Sequence, residues 1–460
     1  MNNSLRNQLL IVLFLSSALI NLHAQETIIQ YLSGTDKDHT VQWDFMVNNG
    51  RKSGQWSKIA VPSCWETQGF GTYSYGRDIN GANETGMYKY RFNVSPSYHN
   101  KKIFLVFEAS MTDTEVKING KSAGPVHQGG FYEFSYDITN LVDFSNPNLL
   151  EVTVSKKSSN VSINRAERQS DFWLFGGIYR PVYLQIPPTN FIERVAIDAK
   201  ANGDFNMQVA AHPKTEQYVE AQVFDLSGKM IDKPFVLPAG DSIMHHHFPG
   251  IKTWNPEEPN LYNVVVSLKE GSKTIHTFKQ RFGFRTAELR REDGFYVNGK
   301  KVIFKGVNRH SEWPETGRTL SRAVHLMDIA VMRKMNMNAV RMSHYPPDKE
   351  FLELCDSIGL FVLDELTGWQ KAYDTITARR LVKEMVTRDV NHPSIVIWDN
   401  GNEGGWNRAV DNNYRLYDPQ DRLVIHPWER FNGTNTKHYP DYKYIQNEVA
   451  NPKEVFFPTE

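Results

Sequence analysis

From about Gly294 onward, apolar runs of strand length alternate with stretches of helical period. Lys301-Val302-Ile303-Phe304-Lys305-Gly306-Val307 has the composition of a strand. Ser321 to Lys334 has helical spacing, with Ser321 placed as an N-cap. Asn338 to Met342 returns to strand, Asp348 to Ile358 is helical, and Gly359 fits its C-cap. Leu360 to Glu365 is a strand, Thr377 to Asp389 a helix, and Ile395 to Asp399 and Leu423 to His426 are strands. Strand–helix–strand order implies a parallel sheet. Polar residues sit just behind the strands, where a (β/α)8 TIM barrel places its active face. Strands are expected near Ile303, Val340, Val362, Val396 and Val424, with a weaker one at Lys437-His438-Tyr439 and a seventh near Phe456. The sequence offers no eighth strand and no closing helices, so the expected barrel is incomplete, with sheet edges exposed at one seam.

Upstream the pattern is β throughout. From Gln25 to Pro187 short alternating runs such as Tyr88 to Val94, Lys102 to Glu108 and Leu150 to Val154 are broken by Gly, Asn and Pro, and Asn119-Gly120 is a hairpin signal. Many short strands without helical periods predict a β-sandwich of jelly-roll type. Pro187-Pro188 breaks the pattern. A second β-rich stretch, including Gln217 to Phe224 and Asn263 to Leu268, has the length of one small sandwich and runs to about Arg285. The expected organisation is therefore 25–188, 189–286 and 287–460. Residues 1–24 read as a secretory signal: Arg6 supplies positive charge, Leu9 to Leu22 is apolar, and Ala24 precedes a cut before Gln25. The apolar run is too short for a comfortable membrane span. Export to the periplasm or the extracellular space is expected, with no membrane partner.

The 460 residues carry 52 basic and 52 acidic side chains and no basic run, which argues against nucleic acid as a partner. Two cysteines, Cys64 and Cys355, exclude a disulfide framework and make a thiolate metal site improbable. Cys355 sits in a helical period and reads as a small core residue.

The chemistry concentrates in strand-end carboxylates. Ser394 to Asp399 is an apolar strand leading through Gly401 to Asn402-Glu403, and Val455-Phe456-Phe457-Pro458-Thr459-Glu460 has the same build. One glutamate that protonates a leaving oxygen and another that attacks the anomeric carbon are what glycoside cleavage requires. Asn402 is placed to hydrogen-bond a sugar hydroxyl. Asn308 and His310 follow the first strand, Arg341 and His344 the second, Glu365 the third. A nearby arginine holds a carboxylate ionised, and neutral imidazoles suit sugar hydroxyls. Trp428, behind the fifth strand, is placed either to stack on a sugar face or to fill the barrel rim.

Gly306-Val307-Asn308-Arg309-His310, Val340-Arg341-Met342-Ser343-His344-Tyr345-Pro346, Asp364-Glu365 and the run Arg388 to Trp398 leading to Gly401-Asn402-Glu403 resemble glycoside hydrolase family 2, which contains β-galactosidases, β-glucuronidases and β-mannosidases. Val61 to Glu66, Gly129-Gly130-Phe131 and Gly176 to Leu184 resemble its sugar-binding jelly roll. Glu257 to Tyr262 and Phe282 to Arg285 resemble its immunoglobulin-like middle domain. The resemblance implies a retaining exo-β-glycosidase acting on terminal sugars of oligo- or polysaccharides, β-galactosides first, with β-glucuronides and β-mannosides as alternatives. Glu403 would match the acid/base and Glu460 the nucleophile, 460 − 403 = 57 positions apart. A tyrosine behind the sixth strand, Tyr442 or Tyr439, would contact that nucleophile. The third strand continues Leu366-Thr367-Gly368-Trp369-Gln370, without the histidine that the family's magnesium-binding galactosidases carry there, so no obligatory metal or other cofactor is expected. A homo-oligomer is compatible with the sequence. The competing expectation is an inactive truncated remnant, or a carbohydrate-binding protein built on the two β domains.

Overall fold

The computed structural model describes residues 25–77, 83–211, 213–214, 216–238, 241–450 and 452–460. The segment 1–24, read above as a secretory signal, lies outside the described residues. The first domain is a two-sheet sandwich. One sheet runs His127–Gln128, Asp113–Ile118, Asn148–Ser155, Thr85–Phe92, Val41–Val47, Ser57–Val61, with Lys121–Ser122 beside Asp113–Ile118. The facing sheet runs Phe134–Asp137, Phe104–Phe107, Val182–Ile186, Ile28–Tyr31. The period-two pattern drives the packing. Leu150, Val152 and Val154 point inward from Asn148–Ser155 and join Trp43, Phe45, Trp65 and Tyr88 in one core.

The second domain is a smaller sandwich. Ile192–Ala199, Asp204–Ala211 and Ile243–His247 form one sheet, and Lys273–Phe282, Tyr262–Glu270, Gln217–Asp225 and Phe235–Val236 the other. Gln25–Glu26 adds to this second sheet in parallel, Gln25 opposite His276, so the first described residues belong to the second domain's sheet.

In the third domain we number the parallel strands β1 (Gly306–Asn308), β2 (Ala339–Arg341), β3 (Phe361–Trp369), β4 (Ile395–Asn402), β5 (Leu423–Ile425), β6 (Thr434–Asn435) and β7 (Val455–Phe456). The helices are α1 (Arg322–Lys334), α2 (Lys349–Ile358), α3 (Thr375–Asp389) and α4 (Tyr442–Ala450). β1 to β5 pair in order, all parallel, and β6 pairs with β7, also parallel. Every residue of β3 and β4 is buried, as expected of parallel strands covered on both faces. Gly359 caps α2 in a left-handed conformation (φ 86°) as expected. No described helix is long and apolar enough to cross a membrane.

Two strand placements differ from the sequence reading. Lys301 to Val307 is not one strand: Lys300–Val302 pairs antiparallel with Gly294–Val297, the chain bends through a 75%-exposed Ile303, and only Gly306–Asn308 enters the parallel sheet. The hairpin claims the apolar residues that looked like the strand's start, and Phe295, Val297 and Val302 pack under the barrel floor with Phe361 and Val396. β6 lies at Thr434–Asn435 rather than Lys437 to Tyr439, because Lys437 onward turns across the barrel mouth.

Among the described residues no strand joins β1 to β7. Nor do β5 and β6 pair, so the described strands form a five-stranded and a smaller sheet with a seam between β1 and β7. A cavity of about 560 Å³ occupies it, lined by Phe304, Val307, Val340, Val455, Phe456 and Phe457 among others. The first domain packs against the barrel's other side: Phe131, Tyr132, Phe172 and Tyr179 share one core with Tyr345, Phe351 and Leu381. Arg180 fastens the two, its Nε 3.0 Å from Asp348 Oδ1 and its Nη2 donating to the Pro346 carbonyl at 3.0 Å.

Candidate active site

The barrel strands deliver the predicted carboxyls to one mouth. Glu403 follows β4 with a left-handed backbone (φ 47°), a conformation that costs a non-glycine residue of the order of 1 kcal/mol or more. The turn closes on Gly405: a Cβ there would stand 1.3 Å from the Gly368 carbonyl oxygen. Only glycine lets the loop behind β4 lie against the end of β3. That contact places Gln370 Nε2 2.8 Å from Glu403 Oε2.

Glu460 sits across the mouth. Arg341 Nη1 donates to its Oε1 at 2.7 Å, and the Tyr439 hydroxyl donates to Oε2. His344 Nε2 lies 3.6 Å from Oε1. His438 Nδ1 stands between the two glutamates, 3.3 Å from Glu403 Oε1 and 3.5 Å from Glu460 Oε2. One oxygen of each glutamate and this nitrogen all lie within 4.8 Å of one another. Both glutamate side chains keep about a tenth of their surface exposed, 11% for Glu403 and 10% for Glu460.

Charge organises the site around Arg341. Its guanidinium also meets Glu365 Oε2 at 2.6 Å and Asp399 Oδ2 at 2.9 Å. Burial pushes the carboxyls of Glu365 and Asp399 up to about 8, with Arg341 pulling against it without prevailing. For the less buried Glu460 the balance reverses: burial raises it, but Arg341, the Tyr439 hydrogen bond and the histidines bring its carboxyl below the ordinary glutamate value. One cation facing three carboxyls thus outweighs burial at Glu460 and falls short of it at Glu365 and Asp399. The Glu460 hydrogen bond in turn pushes the Tyr439 phenol up to about 12, so it remains a donor.

Most of the other predicted residues gather here. Asn402 Oδ1 accepts from Arg341 Nη2 at 2.8 Å, and its buried Nδ2 has no protein partner. Such an orphaned donor calls for a partner from outside the chain. Asn308 Oδ1 lies 3.3 Å from Arg341 Nη1. His344 Nδ1 is 3.2 Å from Glu365 Oε1, and burial pushes this imidazole down to about 3, so it is neutral. His310 stands one step out, 3.0 Å from the Tyr345 hydroxyl, its ring 5.5 Å from that of His344. Trp428 is 40% exposed and stacks on His438, ring centroids 5.7 Å apart. Tyr442 is a correction: it lies on α4, 75% exposed, and Tyr439 makes the contact with Glu460. Pro440 and Asp441 start the helix and turn Tyr442 away.

Four participants escaped the sequence reading. His438 was seen only as part of a weak strand. Thr459, whose Oγ1 is 2.8 Å from His438 Nε2, carried no signal beyond preceding Glu460. Gln370 closes the run Leu366 to Gln370, whose sequence signal is the absence of a histidine, and its contact with Glu403 arises only from the fold. Asp171 comes from the first domain, where its backbone carbonyl accepts from Tyr75, and its charge acts on both His344 and Tyr439. Ser170-Asp171-Phe172-Trp173, a carboxylate among aromatics on a sandwich loop, was the available signal.

A carboxyl pair at the mouth of a parallel barrel, reached by a loop from an adjoining β-sandwich, defines the architecture of a multidomain glycoside hydrolase. Sequence models of this class match in chain order: Glycosyl hydrolases family 2, sugar binding domain, at residues 51–188; Glycosyl hydrolases family 2 at 190–285; and Glycosyl hydrolases family 2, TIM barrel domain, at 288–426. The chain belongs to glycoside hydrolase family 2. It is 32% identical over 330 residues to a β-galactosidase of Thermoanaerobacterium thermosulfurigenes, covering 68% of this chain and 46% of that protein. Among solved structures, a β-glycosidase from Bacteroides vulgatus superposes with a TM-score of 0.77 at 23% identity, covering 94% of this chain and 59% of the other. A Bacteroides uniformis β-glucuronidase gives 0.75 at 21%, covering 93% and 58%. The chain spans about half the length of the curated relatives it matches.

Proposed function

We propose that the chain acts as a retaining exo-β-glycosidase, with Glu460 as nucleophile and Glu403 as acid/base. Glu403 gives its proton to the glycosidic oxygen while a Glu460 oxygen bonds to the anomeric carbon and the aglycone leaves. Glu403, now a carboxylate, takes a proton from water, whose oxygen displaces Glu460 and restores both groups. The observation that carries this reading is the approach of the two carboxyls within 4.8 Å, close to the separation of retaining pairs and well short of the span that inverting enzymes need for a water. Arg341 supplies the ionised nucleophile, and Asn402 Nδ2, neutral His344 and Trp428 supply a sugar site of donors and an apolar face.

We propose a terminal β-galactoside as substrate, on the likeness to the Thermoanaerobacterium β-galactosidase, with a β-glucuronide the second sugar to try, on the likeness to the Bacteroides uniformis β-glucuronidase. Export through residues 1–24 would place the reaction in the periplasm or outside the cell. The test is a panel of para-nitrophenyl β-glycosides with the product's anomeric signal followed by NMR, beside Glu403→Gln. Turnover of one sugar with the β-anomer appearing first, lost in the variant, is expected. An α-anomer first, or an undiminished variant, overturns the assignment.

A further inference from the structure

We infer that Glu403, His438 and Glu460 form a three-ligand site for a divalent transition cation of the Zn²⁺ class. Three atoms converge: Glu403 Oε1, Glu460 Oε2 and His438 Nδ1, all within 4.8 Å of one another. In a tetrahedral complex with bonds of about 2.0–2.1 Å, neighbouring ligand atoms stand about 3.3–3.4 Å apart. The two His438 Nδ1 separations, 3.3 and 3.5 Å, already have that length. The two carboxylate oxygens lie within 4.8 Å of each other, and three protein ligands leave the fourth tetrahedral position open to water.

The outer atoms make the argument. A ligating histidine holds its tautomer by donating its other ring N–H to an oxygen; His438 Nε2 is 2.8 Å from Thr459 Oγ1, which leaves Nδ1 its lone pair. Glu403 is likewise held by the oxygen it does not offer, Oε2, through Gln370 at 2.8 Å. Glu460 is held at Oε1 by Arg341 at 2.7 Å, and its offered Oε2 accepts from the Tyr439 hydroxyl on one lone pair, leaving the other for an ion. Two carboxylates and one imidazole suit Zn²⁺, Cu²⁺ or Ni²⁺, and the nitrogen argues against Mg²⁺, which prefers oxygen in near-ideal octahedra. The ion takes the oxygens that face the sugar, so it excludes substrate. That last consequence rests on the catalytic pair proposed above; binding itself does not.

The test is calorimetric titration of the chelator-stripped chain with ZnCl2, and with MgCl2 in parallel. A single equivalent of Zn²⁺ is expected, with affinity reduced about 10–100-fold in Thr459→Val, which alters only the outer partner, and reduced further in His438→Gln and in Glu403→Gln, which alter a ligand itself. His245 and His247, exposed on one strand of the second domain, are the natural adventitious site. The double variant His245→Gln, His247→Gln should keep the equivalent. No binding, binding lost in that double variant, or binding unchanged in both His438→Gln and Glu403→Gln overturns the site. On an active sample Zn²⁺ should raise KM and leave kcat. Binding without inhibition would retain the site and count against the catalytic pair.

Discussion

The side-chain amide of Asn308 donates to the backbone carbonyl of Thr459 at 3.0 Å. It is a bridge from the end of β1 to the residue before Glu460, across the seam where the sheet is open. Arg341 ties the same two segments from below through Asn308 Oδ1 and Glu460 Oε1. Between β1 and β7 the position of Glu460, the proposed nucleophile, rests on these side chains; on its other side the Tyr439 amide donates to the Glu460 backbone carbonyl at 3.0 Å.

Removing the cation should move the acid limb of the pH–rate profile. The Glu460 carboxyl lies below its ordinary value because Arg341 and Tyr439 outweigh burial. Without the guanidinium the same burial prevails and the carboxylate protonates at higher pH. In Arg341→Met the acidic limb of kcat/KM is expected at higher pH than in the parent, with activity near neutrality down about 10²-fold from lost positioning. A limb that stays in place would mean that Arg341 does not set this ionisation.

Glu365 and Asp399 give the protein an opposite dependence. Their folded-state values of about 8 exceed the ordinary values, so the native state binds more protons than the unfolded chain between those limits. Stability from this source is complete below about pH 4 and is lost as pH rises through about 8. Glu365→Gln removes one of the two titrations, and its melting temperature should fall less steeply between neutral and alkaline pH. A parallel decline in parent and variant would count against the assignment.

Tyr439→Phe deletes the hydroxyl that donates to Glu460. A hydrogen bond to a charged group contributes about 1.5–3 kcal/mol, so kcat/KM is expected to drop about 10–10²-fold. Tyr442→Phe, on exposed α4, should behave like the parent. Equal effects from the two would return the question to Tyr442.

Arg180→Ala tests how the first domain holds the barrel. Asp348, with 17% of its side chain exposed, would lose its main cation, and the Pro346 carbonyl would lose a donor. Breaking a buried pair from one side costs about 3–5 kcal/mol. Urea denaturation should show the transition of the coupled first and third domains at lower concentration. An unchanged midpoint would make the contact incidental.

The sequence disclosed what local patterning controls. The apolar runs that open β3 and β4 lead into carboxylates, so Glu365, inside β3, and Glu403, just past β4, announce themselves, while Arg341 ends the short buried β2 and His344 follows it. Where two partners compete for one apolar stretch, periodicity has no answer: Lys300–Val302 went to a hairpin under the floor, and β1 kept three residues. Tyr439 and Tyr442 are separated by a turn whose direction depends on β7. His438, Thr459 and Asp171 act across long sequence separations, through contacts that exist only once the chain has folded.

The open seam also separates two kinds of stability. Glu403 hangs from β4, paired on both sides. Glu460 follows β7, whose only backbone neighbour among the described strands is β6. Amides of β1 and β7 should exchange with solvent deuterium well before those of β3 and β4. In mild denaturant the two carboxyls should drift apart while the sandwiches and the inner strands still give a native far-ultraviolet spectrum. The fold would then outlive the alignment of the two carboxyls.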